Sequence, residues 1–172
     1  NLTWNKEIGG STQTRMNGAK DAINAIVSDS SLTSGAHFGF GWWSAWNRKA
    51  HKGQGNPNYF NGWNGTHPEG HSTVCRMGGC IRVGVGPNGA NDIPPFVKGL
   101  GTIFGTDARA FSELALEYYN KDKSWSPITP DSECQQSYVI IIGDGEWNQG
   151  STAVSRINTL RVTHKVKTAV VA

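Results

Sequence analysis

An α/β fold with mostly parallel strands is what this sequence predicts, and three observations carry that reading. The first is the bare apolar run Tyr138-Val139-Ile140-Ile141-Ile142, which ends in the acidic glycine turn Gly143-Asp144-Gly145. An uninterrupted run of this length reads as a strand buried on both faces, the kind parallel sheets contain. The second is another short apolar strand, Lys167 to Ala172, one helix further along. The third is the order of patterns: helix, strand, an irregular span, helix, strand, helix, strand.

Each element has its own warrant. Thr14 to Asp29 places Met16, Ala19, Ala22, Ile23, Ile26 and Val27 at helical spacing, which gives one stripe to bury. Ser28 to Gly35 is turn-rich. Ala36 to Trp43 reads as a strand with glycines as weak points. Its aromatic residues Phe38, Phe40, Trp42 and Trp43, with Trp46 beyond, are read as core rather than as a sugar-stacking surface, because alternate strand positions share one face. From Ser44 to Gly99 the periodicity collapses: eleven glycines fall in that span, and only Cys80 to Val85 alternates like a strand. So long an irregular stretch reads as a functional or surface insertion at about 44–99. Regularity returns at Gly105-Thr106-Asp107, where Asp107 caps a helix from Ala108 to Tyr119 built on Phe111, Leu114, Ala115 and Tyr118. Asn120 to Glu133 is a polar loop. After the apolar strand, Ser151 to Val162 carries Val154, Ile157 and Leu160 on one helical face. The chain opens near a helix with no strand before it and stops within a strand, so the pattern reads as a segment of something longer, lacking its first strand.

Composition narrows the function classes. A chain of 172 residues suffices for one domain with a real core. Net charge is +3 with scattered Lys and Arg, which leaves no basic stripe for nucleic acid. No apolar run reaches membrane-spanning length. Only 17% of residues are charged, against 22 Gly and 7 Trp, a balance more typical of an extracellular surface than of a cytosolic enzyme. Cys75 and Cys80 flank the turn-like spacer Arg-Met-Gly-Gly and suit a local disulfide in an oxidising compartment; reduced thiols are the plain alternative. Cys134 is left over.

Asp144 is the first candidate for function. It stands at the C-terminal end of a buried strand, where open α/β sheets bind ligands, and its flanking glycines let the backbone approach a ligand closely. The plain alternative is an Asp that caps its own turn. Trp63 and Trp147 sit in polar loops and are candidate partner or sugar contacts. Glu146 and Asp107 read as rim charges. His67, Glu69 and His71 lie in a Gly/Asn/Pro-rich stretch and read as a solvated loop. No Ser-His-Asp, Cys-His or paired-carboxylate arrangement has supporting context, so no enzyme is expected.

Two families use such a strand ending. Gly143-Asp144-Gly145 followed by Asn148-Gln149-Gly150 resembles thiamine-diphosphate enzymes, in which the Asp binds the magnesium that holds the diphosphate. The order of motifs is more similar to a von Willebrand factor A domain: Gly105-Thr106-Asp107-Ala108 opens a helix, and Ile142-Gly143-Asp144-Gly145-Glu146 ends the next strand. Thr106 and Asp144 match that family's metal-site positions, with Gly143 in place of its Thr. The likeness sharpens to one subfamily. Gly105-Thr106-Asp107-Ala108-x-Ala110-Phe111, Tyr118-Tyr119, Ser126-Pro127-Ile128 and Cys134 before Tyr138-Val139-Ile140 resemble the amino-terminal domain of PilC/PilY-type type IV pilus tip adhesins, as do Cys80-x-Arg82-Val83, Pro87-Asn88-Gly89-Ala90 and Ile93-Pro94. The resemblance covers about residues 14 to 172.

That resemblance implies a three-layer, Rossmann-like domain over 1–172, extracellular at a pilus tip of a Gram-negative bacterium. It implies adhesion or pilus assembly, with minor pilins or other pilus proteins and a host or surface ligand as partners. A divalent cation, Mg or Ca, would take oxygen ligands from Asp144 and Thr106, keep several waters and leave a position for a partner's carboxylate. The alternative for Thr106 is simple helix capping. One departure stands out: no Asp-x-Ser-x-Ser follows an apolar strand. Asp29-Ser30-Ser31-Leu32-Thr33 fits the letters but follows a helix and reads as a turn. The chain thus carries only part of the site, and a metal-free scaffold of an extracellular filament is the third reading.

Overall fold

The computed structural model describes residues 5–8, 11–43, 75–76, 79–100, 107–128, 134–143 and 147–171. It is a mixed α/β structure with small sheets. Strands β1 (Asn5–Ile8) and β2 (Ser11–Thr14) form an antiparallel hairpin ahead of helix α1 (Arg15–Ser28). This corrects the expectation that no strand precedes the first helix; the polar letters Asn-Lys-Glu-Ile and Ser-Thr-Gln-Thr carry no apolar alternation to announce one. Thr14 starts α1 by accepting the Asn17 N–H on its hydroxyl at 3.2 Å. Asp29 ends α1 and caps the four-residue helix α2 (Ser30–Thr33), accepting from the Ser31 amide at 2.8 Å and the Ser31 hydroxyl at 2.6 Å. Its carboxylate is therefore used locally, in a capped turn of helix.

Strands β3 (Phe38–Trp43), β4 (Cys75–Arg76) and β5 (Gly79–Gly86) make an antiparallel sheet in the order β3-β5-β4. The β3–β5 register slips twice, on either side of the Phe40–Val83 pair, with the extra residues in β5. Each extra residue flips the side chains that follow to the other face. So Val83 packs with Val27, Ile93, Phe38 and Phe40, while Ile81 and Val85 pack beside Tyr118 and Tyr119. The sheet is thereby clothed on both sides, by α1 and α3 (Gly89–Lys98) through the first set and by α4 (Ala108–Tyr118) through the second.

Helix α3 lies inside the span expected to be irregular, and it belongs to the core. Ile93 and Val97, one helical turn apart, are 2% and 0% exposed against Val27 of α1. Pro94 and Pro95 stand inside it and break the sequence signal, since each removes a backbone donor and disfavours helix. Tertiary burial of the Ile93/Val97 edge overrides that propensity. The strand expected at Cys80–Val85 is present as β5, and the irregular expectation for the rest of 44–99 fails at α3, over 89–98; residues 44–74 lie outside the described residues.

The second sheet joins β6 (Ser137–Ile142) and β7 (Val166–Val171) in parallel through helix α5 (Gly150–Thr163). This β-α-β unit is as the sequence predicts. Burial on both faces is not. Ile141 and Val166 are buried against α4 and α5, and Val139 packs with them. The alternate residues Tyr138 and Ile140 are 52% and 61% exposed, as is Val171 at 54%. Among the described residues, one face of this pair is covered up to Val170, which is 52% exposed, and the other is largely bare.

Helix α4 connects the two sheets. Tyr118, its last residue, and Tyr119, its C-cap, reach to different sheets. The Val85 N–H of β5 donates to the Tyr118 hydroxyl at 2.7 Å, and the Tyr119 hydroxyl donates to the Tyr138 carbonyl of β6 at 3.3 Å. Burial pushes both phenols above their ordinary range, so both stay protonated. No helix among the described residues is long and apolar enough to cross a membrane.

Candidate functional site

The described residues that follow the two motifs singled out in the sequence meet in the fold. Thr106 precedes the α4 cap, and Asp144 and Glu146 come after β6; all three, with Trp63, lie outside the described residues. Asp107, next to Thr106, and Asn148, two residues past Glu146, are described, and they touch. Asp107 and Asn148 form an isolated parallel bridge, and the Ala108 N–H donates to the Asn148 carbonyl at 3.0 Å. The residue after Thr106 is thus joined to the residue four places after Asp144.

The chemistry of this corner is well defined. Asp107 caps α4, its Oδ1 accepting the Arg109 N–H at 3.0 Å. The Arg109 guanidinium grips both carboxylate oxygens of Asp107, with Nε at 3.0 and 3.1 Å. Burial draws the Asp107 pKa upward, but the hydrogen bonds from Arg109 and the charges of Arg109 and Arg156 outweigh it and hold the carboxyl below its usual range. Asp107 is therefore ionised and committed to Arg109, and it is not the solvated rim charge the sequence suggests, because the ion pair and the helix cap cover its carboxylate. Arg156 of α5 donates to the Arg109 carbonyl at 3.1 Å and pairs with Glu113 at 2.7 Å, which fixes α5 beside the start of α4.

Under this corner lies an aromatic stack. Trp43 meets Phe111 edge-on at 5.1 Å, and Phe111 meets Trp147 at 4.9 Å. Trp147 was expected in an open polar loop; it is half-buried, and its ring lies over Gly143, where an added Cβ would sit 3.0 Å from it. Gly143 is thus small because the tryptophan folds back on the strand end. Gln149 takes the left-handed conformation at φ 62° and opens α5 without a side-chain cap. Neither Arg109 nor Arg156 was singled out from the sequence; only Asp107 and Arg109, two apart at a helix start, hinted at a local pair.

The strand pair β4–β5 sets Cys75 directly opposite Cys80. Directly opposed antiparallel residues have Cα atoms about 4.5 or 5.5 Å apart, both within the range a disulfide spans. Cys134 is exposed and free. Among the described residues, no group of three or more His, Cys, Asp or Glu side chains gathers as a metal site. Compared with family models, curated proteins and solved structures, the chain matches none.

Proposed function

We propose that the chain is the von Willebrand factor A-like domain of a PilC/PilY-type type IV pilus tip adhesin. In this reading it is an extracellular, non-enzymatic adhesion or pilus-assembly domain that meets minor pilins or a surface ligand. The observation that carries it is the Asp107–Asn148 tether. It draws together the two chain segments that flank Thr106 and Asp144, the residues that match the family's metal positions. Because Arg109 already satisfies Asp107, the oxygen ligands for Mg2+ or Ca2+ would come from the Asp144 carboxylate and the Thr106 hydroxyl. When bound, the cation would offer a coordination position to an acidic group of a partner. The protein's part is to hold the two loops together, through the tether above and the Trp43-Phe111-Trp147 stack below.

Calorimetric titration with Mg2+, Mn2+ and Ca2+ on the chain extended upstream of Asn1 tests this, set against Asp144→Ala and Thr106→Ala in the same extended chain. Saturable binding that disappears with Asp144→Ala is expected, with a smaller loss for Thr106→Ala. Equal binding by all three proteins removes Asp144 from the site. Adding thiamine diphosphate with Mg2+ should give no further heat; a saturable response would move the chain to the enzyme reading.

A further inference from the structure

The turn that carries β5 into α3 is held at both ends on one residue. Before it, Gly86 pairs with Phe38 across the β3–β5 ladder. After it, Gly89 is buried, and a Cβ added there would fall on the Phe38 carbonyl. Between them Asn88 is exposed and is the N-cap of α3, yet its side chain makes no capping hydrogen bond. Its carbonyl accepts the Asn91 and Asp92 N–H groups at 2.9 and 3.1 Å.

A reactive pair thus stands at a clamped joint. Asparagine is thermolabile, and a glycine after it presents a backbone nitrogen with no side chain beside it. The Gly89 N–H, first in α3, has no intrahelical acceptor. When that nitrogen gives its proton to water and attacks Asn88 Cγ, a C–N bond closes a succinimide and ammonia leaves. Water then opens the ring at one carbonyl or the other, giving aspartate or isoaspartate at position 88. The backbone decides when this happens. The Asn88 ψ of −3° eclipses the Gly89 nitrogen with Asn88's own nitrogen and turns it away from Cβ, the atom that carries Cγ. Closing the ring needs rotation about the Asn88 Cα–C bond. With Gly86 and Gly89 both held on Phe38, that rotation requires α3 to leave β3.

We propose that Asn88 is a covalent modification site gated by the seating of α3. Deamidation is held off while Gly89 lies on Phe38 and proceeds, irreversibly, when α3 lifts. The isoaspartate product makes the lift permanent. It routes the main chain through the former side chain and adds a carbon between Gly86 and Gly89, whose separation is set by their common partner Phe38. Ile93 and Val97 then no longer reach their places against Val27 and Val83. The aspartate product leaves the main chain as it was and puts a negative charge at the N-terminus of α3, where the helix dipole favours it.

For the test, the 172-residue protein is held at mildly alkaline pH in buffer and in unfolding urea, with the free peptide Gly-Pro-Asn-Gly-Ala-Asn in both. Peptide mapping follows deamidation at Asn88. Exposing either Ile93 or Val97 suffices to make the open state about tenfold rarer. In buffer Asn88 should therefore react at least about tenfold more slowly than the peptide, and in urea at the peptide's rate. Equal rates in buffer overturn the gate, as does a protein that stays slow in unfolding urea. The isoaspartate product, separated after reaction in urea and refolded, should unfold at a urea midpoint about 0.5 M or more below Asn88→Asp, the reference for charge alone. Failure of the isoaspartate form alone to refold counts with the lower midpoint; coincident midpoints overturn the loss of the seat.

Discussion

Gly89→Ala offers the sharpest test of how α3 sits in the fold. Gly89 is buried at the start of α3, and a Cβ placed on it would lie 1.8 Å from the Phe38 carbonyl oxygen and 2.7 Å from its carbon. That is more than an ångström inside the 3.0 Å below which real Cβ contacts essentially never fall. The obstacle is backbone, held in register with Gly86, so no side chain can swing aside. The helix must instead lift from β3, which loosens Ile93 and Val97 in the core beside it. Overpacking of this kind costs about 1–3 kcal/mol, and disturbed burial below it brings the expected loss to about 3 kcal/mol. Gly150→Ala is the matched control, because nothing lies within 4 Å of its Cβ position at the start of α5. It makes the same change in the unfolded chain and should stabilise by about 0.4–1 kcal/mol. Urea unfolding monitored by tryptophan fluorescence and circular dichroism reads both. With a slope of about 2 kcal/mol/M, the midpoints should part by about 1.5–2 M. If the two variants unfold within about 0.2 M of each other, the placement of α3 on Phe38 is wrong.

The same structure sets other outcomes. Tyr118→Phe strands the Val85 N–H in a half-buried place and should cost about 1–2 kcal/mol in the same unfolding assay, while Tyr119→Phe, with the longer bond, should cost less. His164 has its pKa lowered by burial and by the nearby Lys121, so the unfolded chain takes up the proton first; stability is complete above about pH 6.5 and falls as the pH drops through that value. His164→Gln should flatten that slope in thermal melts between pH 5 and 7.5 (about one unit either side of the ordinary histidine range). Peptide mapping without reductant should find Cys75 joined to Cys80, and reduction should lower stability by about 2 kcal/mol for so small a loop; a Cys134 adduct in their place would refute the pairing.

Burial geometry decides how much of the fold the letters reveal. The helix at Ala108–Tyr118 was legible because its apolar spacing matches the helical period, and the strand at Ser137–Ile142 because its apolar run is short, uninterrupted and β-branched. α3 was not, because its signal rests on Ile93 and Val97 alone, with Pro94 and Pro95 between them. β5 was legible as a strand but not in its facing: Ile81, Val83 and Val85 share parity in the sequence, yet the slips around Val83 send them to two faces. The apolar run at 138–142 says only that both faces are apolar; whether both are covered depends on what else packs there. At the candidate site, Thr106 and Asp144 were suggested by their motifs, while the Asp107–Asn148 contact that draws their neighbours together joins residues forty-one apart and has no local signature.

The position of α4 along the chain has a consequence for the order of assembly. The first sheet is complete in sequence by Gly86, α4 comes next at Ala108–Tyr118, and the second sheet comes after residue 136. As the chain emerges from its N-terminus, α1, α3, β3 and β5 can close around Val83 and Ile93 first. Ile81 and Val85 then wait, uncovered, until α4 lies down on them. Only with that helix in place do β6 and β7 have a surface to settle on, through Ile141 and Val166. A nascent chain halted before residue 108 should therefore leave Ile81 and Val85 uncovered, and one halted after 128 should cover them while still exposing the Ala108, Phe111 and Tyr119 surface that β6, α5 and β7 later bury.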